Sequence, residues 1–314
     1  MLSTQFSFTA TYGNAPTSST SFSCLPIASC ELLEGVHLST DVLYSIMLEL
    51  RARDEAFIPM TMGHLAHAMF LNLIKQFDPA LSAQLHDQPG NRPFTTSPLR
   101  GVPEQEGGFA LQREQTCFLR VTLLDGGYLW HCLSRHFLEA GTILVDLGTT
   151  LQLTRMLTSA TADPTGWVGT VEWEALSSLP PQRLITVQFA SPTAFNVGDR
   201  RFDLFPKPLL VWENLLRVWN AYAPDSLKIE KRGLREFLVE HVTVTHFALS
   251  TELLHYPKYV QKGFVGTCTY EVQEANPSDH RLTALAAFAR FAGVGYKTTM
   301  GMGQARALFG VSSP

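Results

Sequence analysis

Near its C-terminus the chain reads Gly293-Val294-Gly295-Tyr296-Lys297-Thr298-Thr299-Met300-Gly301-Met302-Gly303. Two Gly-apolar-Gly units enclose a five-residue insert that carries Lys297. Each unit marks backbone that a Cβ would obstruct, by conformation or by close approach. Exposed amides in such a loop bind anionic oxygens, and Lys297 adds a cation. A helical run, His280 to Ala292, precedes the loop, and the strand-like Ala305-Arg306-Ala307-Leu308-Phe309 follows it. The order is helix-loop-strand. Dinucleotide and P-loop fingerprints run strand-loop-helix, with the phosphate on the helix N-terminus, so the nucleotide-binding reading loses most of its weight. One glycine pair would be an ordinary helix C-cap. The doubled unit argues for a built loop, with a merely tight connection as the bland alternative.

Composition narrows the class. A chain of 314 residues holds two domains or one large one, and 45% hydrophobic against 17% charged residues suits a globular protein with ample core. No apolar run reaches the ~18 residues of a membrane span, and the N-terminus lacks the basic-then-apolar pattern of a secretory signal. Five scattered cysteines, Cys24, Cys30, Cys117, Cys132 and Cys268, form no CxxC pair and point to a reduced, cytoplasmic setting. The net charge of −4 is uneven. Residues 1–183 carry 10 Lys and Arg against 17 Asp and Glu, whereas residues 184–314 carry 14 against 11. A polyanionic partner therefore belongs on the C-terminal half, near the glycine loop.

Hydrophobic periodicity supplies an element order. Residues 1–40, rich in Ser and Thr, are expected to form an irregular extension. A strand over Leu43–Arg51 leads to a helix over Gly63–Phe77, strands at Gly108–Gln112 and Cys117–Leu124, a helix over Tyr128–Ala140, and a strand within Thr142–Met156. The order recurs as a strand from Leu184, a helix over Leu209–Tyr222, strands at Val242–Ser250 and Phe264–Val272, a helix over Arg281–Ala292 and a last strand at Gln304–Phe309. The fold class is α+β, two tandem ferredoxin-like βαββαβ domains. The expected domains are 41–175 and 176–314, joined near 165–184.

A second segment carries titratable chemistry. Asp78 to His86 reads as a short helix, followed by a turn and by Arg92-Pro93-Phe94-Thr95-Thr96-Ser97-Pro98-Leu99. A histidine at a helix C-terminus is favoured as imidazolium and still titrates near neutral pH. Arg92, across a tight loop, can face the same anion. A histidine alone is more often a capping residue.

Together these segments resemble the CRISPR-associated endoribonucleases of the sixth Cas family. The matching segments are Pro79-x-Leu81-x-x-x-Leu85-His86 with Phe94-Thr95-x-Ser97, Val187-x-Phe189-x-Ser191-Pro192-Thr193-x-Phe195, Gly263-Phe264-x-Gly266, and the glycine loop. They span about residues 43–310. The resemblance implies cleavage of CRISPR precursor RNA within its repeats without a metal or other cofactor. The ribose 2′-hydroxyl attacks the adjacent phosphate and leaves a 2′,3′-cyclic phosphate. It implies His86 as general acid or base and Arg92 as the cation on the transition state. Relatives carry a tyrosine on the first helix where Leu71 stands here; His67, one turn earlier on the same face, is the substitute. RNA binding is expected from Gly293, Gly295, Lys297, Gly301 and Gly303. Further cations are Lys258 and Lys262, before a hairpin read at Gly263–Gly266, and Lys231 and Arg232 in a basic run with Lys228 and Arg235. The implied partners are repeat or guide RNA and other Cas subunits of an effector complex. Two rivals remain. A metal hydrolase drawn from His64, His67 and His86 lacks a carboxylate at diagnostic spacing. A non-catalytic RNA-binding subunit on the same fold would have no reason to pair His86 with Arg92.

Overall fold

The structure is a computed structural model that describes residues 41–199, 201–256, 259–273 and 280–309. The extension 1–40 and Lys258 lie outside the described residues.

The first half runs β1 (Val42–Ala52), β2 (Ala56–Pro59), α1 (Gly63–Lys75), α2 (Pro79–Asp87), β3 (Phe94–Arg100), β4 (Glu104–Gln105), β5 (Gly108–Leu111), β6 (Thr116–Leu123), α3 (Gly126–Glu139), β7 (Ile143–Asp146), β8 (Thr150–Leu157) and β9 (Gly169–Glu172). Its main sheet has the order β3-β6-β1-β8-β7, and β9 pairs with the start of β1. The ferredoxin-like unit is therefore β1-α1-β3-β6-α3-β8, antiparallel throughout. The strand expected at Gly108–Gln112 exists as β5, but it pairs with β2 and β4 in a separate small sheet. The true second strand, β3, reads Phe-Thr-Thr-Ser-Pro-Leu-Arg. Its Thr95, Thr96 and Ser97 are buried, so it shows no apolar alternation to find.

The second half runs α4 (Trp173–Ser177), β10 (Leu184–Thr193), β11 (Phe195–Asn196), β12 (Phe202–Asp203), α5 (Pro208–Tyr222), α6 (Lys231–His241), β13 (Val242–Tyr256), β14 (Tyr259–Val272), α7 (Arg281–Ala292) and β15 (Ala305–Leu308). The sheet order β13-β14-β10-β15 repeats the ferredoxin-like order. Gly263–Gly266 is not a hairpin, because it lies within β14 opposite Glu252 to Leu249. Glycine is needed there for close approach. A Cβ at Gly266 would sit 2.0 Å from the Ala248 carbonyl, and one at Gly263 would sit 2.7 Å from the Pro192 side chain.

Each sheet buries one face under its helices. One core gathers Leu48, Leu50, Phe70, Phe94, Leu119 and Val121. The other centres on Trp173, Trp212, Trp219 and Phe288, with Trp173 and Trp219 edge to face at 4.9 Å. Leu43 and Leu124 from the first half join that second core, so the domains share packed surface.

Polar residues stitch the seam between domains. Thr122 Oγ1 donates to the Phe291 carbonyl at 2.7 Å, Thr96 Oγ1 to the Thr299 carbonyl at 2.9 Å, and Gln304 Nε2 to the Thr96 carbonyl at 3.0 Å. Arg120, 1% exposed, donates to Ser45 Oγ, Gln304 Oε1 and the Arg290 carbonyl. A buried guanidinium is tolerable only when so satisfied. This seam holds the glycine loop of one domain against α1 and β3 of the other.

Candidate functional site

His67 and Arg92 of the first domain lie near Thr299 of the second at this seam. His67 lies on α1 and is 8% exposed, its ring stacked on Phe94 at 5.5 Å. Burial, and then the nearby Arg92 cation, hold its pKa below the usual histidine value; the Thr299 carbonyl pulls the other way and His86 adds to the lowering. Its Nδ1 has no hydrogen-bond partner among the described residues. The sequence places His67 one turn before Leu71. Leu71 is buried in the first core and has no proton to exchange.

His86 is exposed in the last turn of α2. That helix starts cleanly because the Asp78 carboxylate accepts the Leu81 amide at 2.9 Å and Pro79 occupies its first turn. It ends on Arg92. Arg92 Nε donates to the Leu85 carbonyl and Nη2 to the His86 carbonyl, both at 3.0 Å. The arginine thus caps the helix that carries His86 and complements its C-terminal dipole.

The glycine loop closes the other side. Gly293, Gly295, Gly301 and Gly303 all have positive φ, and Lys297, at +57°, turns the insert into a 3₁₀ turn over Thr298–Met300. Close approach is as strict as conformation. A Cβ at Gly303 would lie 2.1 Å from the Val294 carbonyl and one at Gly295 2.6 Å from the Ala194 carbonyl. The expectation that these glycines offer free amides is corrected for three of them. Gly293 N–H donates to the Ala289 carbonyl, Gly295 N–H to Asn214 Oδ1 and Gly303 N–H to the Pro192 carbonyl. The reason is that Gly293 closes the last turn of α7, and the rest of the loop is stitched to α5 and to the end of β10. Gly301 is buried against β3, and the insert, with Gly295 beside it, reaches open space.

A cleft of about 330 Å³ lies between this insert and the turn Gly90-Asn91-Arg92. Arg92, Arg217 and Lys297 line it, with Thr95, Asn214 and Thr298 to Met300. Lys297 leans on an aromatic wall. Its ammonium donates to the Tyr259 hydroxyl and lies 4.4 Å from the Tyr259 ring centre, 4.6 Å from Tyr256 and 5.3 Å from Tyr296. The other expected cations are scattered. Lys231 lines a larger groove over α5, and Lys262 is exposed on β14. Arg232 pairs with Glu236, Arg235 with Glu213 and Lys228 with Asp225, so most of the basic run is ion-paired. His64 is exposed, and no group of three or more His, Cys, Asp or Glu among the described residues could hold a metal ion.

Sequence reading missed the residues that hold the turn. Arg217 donates to Asn91 Oδ1, and the Tyr222 hydroxyl donates to the Asn91 carbonyl at 2.6 Å. Burial pushes the Tyr222 phenol up to about 12, so it keeps the proton it donates. Asn91 between Gly90 and Arg92 was the available signal, since asparagine beside glycine marks a turn fixed by side-chain hydrogen bonds.

Two ferredoxin-like domains joined around a glycine-rich loop, with histidines and cations at the seam, define a polyanion-binding α+β protein. The model of the CRISPR-associated endoribonuclease Cas6 family matches residues 187–305, and that of the Cas6 N-terminal domain matches residues 42–177. The chain belongs to the Cas6 family. A solved Cas6 product complex is 30% identical, with a TM-score of 0.71 over 85% of this chain and 100% of that one. The Cas6 of Thermus thermophilus is 29% identical, with a TM-score of 0.64 over 85% and 98%. The CRISPR-associated endoribonuclease Cas6 of Streptococcus thermophilus is 28% identical over 130 residues, 41% of this chain and 53% of that protein. The protein of the same description from Mycobacterium tuberculosis is 28% identical over 131 residues, 40% of each. The alignments thus span about half the length of these curated relatives or less.

Proposed function

We propose that this chain is a metal-independent endoribonuclease that cleaves CRISPR repeat RNA by internal transesterification. The observation that carries the reading is that Arg92 caps the helix that bears His86 and lines the seam cleft opposite Lys297 and Thr299, with His67 buried nearby on α1. Packing alone does not call for a buried histidine near a guanidinium that lines an open cleft at a domain seam.

The chemistry follows from these groups. A base takes the proton of a ribose 2′-hydroxyl, whose oxygen attacks the adjacent phosphorus. The P–O5′ bond breaks, an acid protonates the departing 5′-oxygen, and a 2′,3′-cyclic phosphate remains. His86, exposed at the end of the helix that Arg92 caps, exchanges a proton with the RNA. His67 takes the complementary role that Leu71 cannot, since its lowered pKa favours the neutral, proton-accepting ring near pH 7. Arg92 stabilises the extra charge on the phosphorane. Lys297 and the insert backbone hold the flanking phosphates, and Lys231 and Lys262 attract the rest of a hairpin read by shape and backbone. Guide RNA retained after cleavage would make the chain a component of a larger Cas assembly.

The test is incubation of repeat RNAs with excess protein in EDTA, with product ends mapped. Cleavage at one position with a cyclic phosphate is expected. A single 2′-deoxy substitution before the scissile phosphate should block cleavage and leave binding intact. His86→Ala should lower the single-turnover rate ~10²–10⁴-fold with affinity kept within a few-fold. Binding without cleavage by the wild-type chain would make it a non-catalytic RNA-binding subunit instead.

A further inference from the structure

The turn that carries Arg92 is held by the other domain. Gly90 has φ +83° and nothing within 4 Å of where a Cβ would stand, so its immediate surroundings do not lock the turn. Asn91 does. Its carbonyl accepts the Tyr222 hydroxyl at 2.6 Å and Gln88 Nε2 at 2.9 Å, and its side-chain oxygen accepts an N–H of Arg217. The next residue, Arg92, donates to the carbonyls of Leu85 and His86. Hydrogen bonds from α5 of the C-terminal domain thus hold Asn91, the peptide bond joins Asn91 to Arg92, and hydrogen bonds from Arg92 reach the end of the helix that bears His86. Arg217 also lines both the cleft and the larger groove, of about 850 Å³, over α5. The C-terminal half bears the net positive charge, so RNA seated there lies against the residue that holds the turn.

We infer that Arg217 is a positioning residue of the cleavage reaction, setting Arg92 and His86 against the cleft through Asn91. The inference rests on the proposed endoribonuclease reading. A positioning role differs measurably from a phosphate contact. Loss of a phosphate ligand weakens binding and flattens its salt dependence. Loss of a positioning contact slows the chemical step in RNA already bound, because a displacement of ~1 Å costs up to ~10²-fold. Residues acting through one contact also lose their effects together rather than in sequence.

The experiment measures single-turnover cleavage, filter-binding affinity at two salt concentrations and thermal melting. It uses the full chain as wild type, Arg217→Ala, Arg217→Lys, Asn91→Ala and the Arg217→Ala/Asn91→Ala double variant. Arg217→Ala should slow cleavage of bound RNA ~10–100-fold with affinity within a few-fold. Arg217→Lys, which keeps a charged donor, should be intermediate. Asn91→Ala should match Arg217→Ala, and the double variant should be no slower than the slower single one. Unchanged cleavage by Arg217→Ala, effects that multiply in the double variant, or an affinity loss that accounts for the whole defect would each overturn the inference. If Arg217→Ala melts early, Arg217→Lys and Asn91→Ala carry the test. A wild-type chain that cleaves no repeat RNA refutes the proposed function, and this inference with it. Full-rate variants beside an active wild type refute this inference alone.

Discussion

Gly63→Ala separates tertiary packing from local propensity by the sign of its effect. Gly63 is the first residue of α1 and does not have positive φ, so in an isolated helix alanine would stabilise by up to ~1 kcal/mol. In the fold its Cβ would stand 1.8 Å from the Met300 carbonyl oxygen and 2.7 Å from the carbonyl carbon. Contacts below 3.0 Å are not sustained, so the 3₁₀ turn and α1 must part by about 1.2 Å or more. Overpacking against backbone costs ~1–3 kcal/mol, which outweighs the propensity gain. The same movement draws Thr299 away from His67 and Thr96. Urea denaturation should show lower stability, and single-turnover cleavage should fall by up to ~10²-fold. A Gly63→Ala protein as stable as wild type, with wild-type cleavage, would refute the claim that α1 and the glycine loop are held at contact distance.

Three further outcomes can be checked. Arg92→Ala should slow cleavage and lower stability by ~1 kcal/mol through the lost cap on α2, while Arg92→Lys keeps part of both; equal melting of all three proteins would remove the capping role. Gly303→Ala should impair folding and RNA binding more than Gly301→Ala, because the new Cβ meets backbone at 2.1 Å in the first case and 3.3 Å in the second; circular dichroism and filter binding rank them, and the reverse order would refute the loop packing. His67 has a folded pKa below its unfolded value near 6.5, so the unfolded chain binds more protons just below that pH and stability rises with pH through this window. Compared with His67→Gln, the wild type should lose stability as pH falls from about 7.5 to about 5.5 in urea titrations, and parallel pH profiles would show that His67 is not held neutral.

Where the sequence was legible, local physics and tertiary physics agreed. The helix Arg281–Ala292 matches its expected limits, because an apolar run meets a glycine that ends it at φ +66°. The strand from Leu184 and the helix ending at Tyr222 follow from their periods for the same reason. Where they disagreed, reading failed. Strand β3 buries Thr95, Thr96 and Ser97, and those hydroxyls are satisfied by Thr122, Thr299 and other groups far away in sequence. A strand buried on polar contacts leaves no alternation, so the more apolar stretch Gly108–Gln112 reads as the second strand instead. The basic run at Lys231 proved to be helix α6, anchored by buried Leu234 and Leu238.

The sequence by itself determined the two ferredoxin-like units, the glycine loop between α7 and β15, and the placing of His86 and Arg92 at the end of a short helix. These depend on spacing, capping and turn chemistry, which act over a few residues. Only the tertiary structure decided what those parts do to each other. It turned the Gly295 and Gly303 amides inward onto α5 and β10, set Lys297 against three tyrosines, and buried His67 near Arg92 and Thr299. It also set Arg217 against Asn91 in the turn before Arg92, 126 positions away along the chain. Such contacts depend on how two domains pack across a seam, and no local pattern encodes that distance.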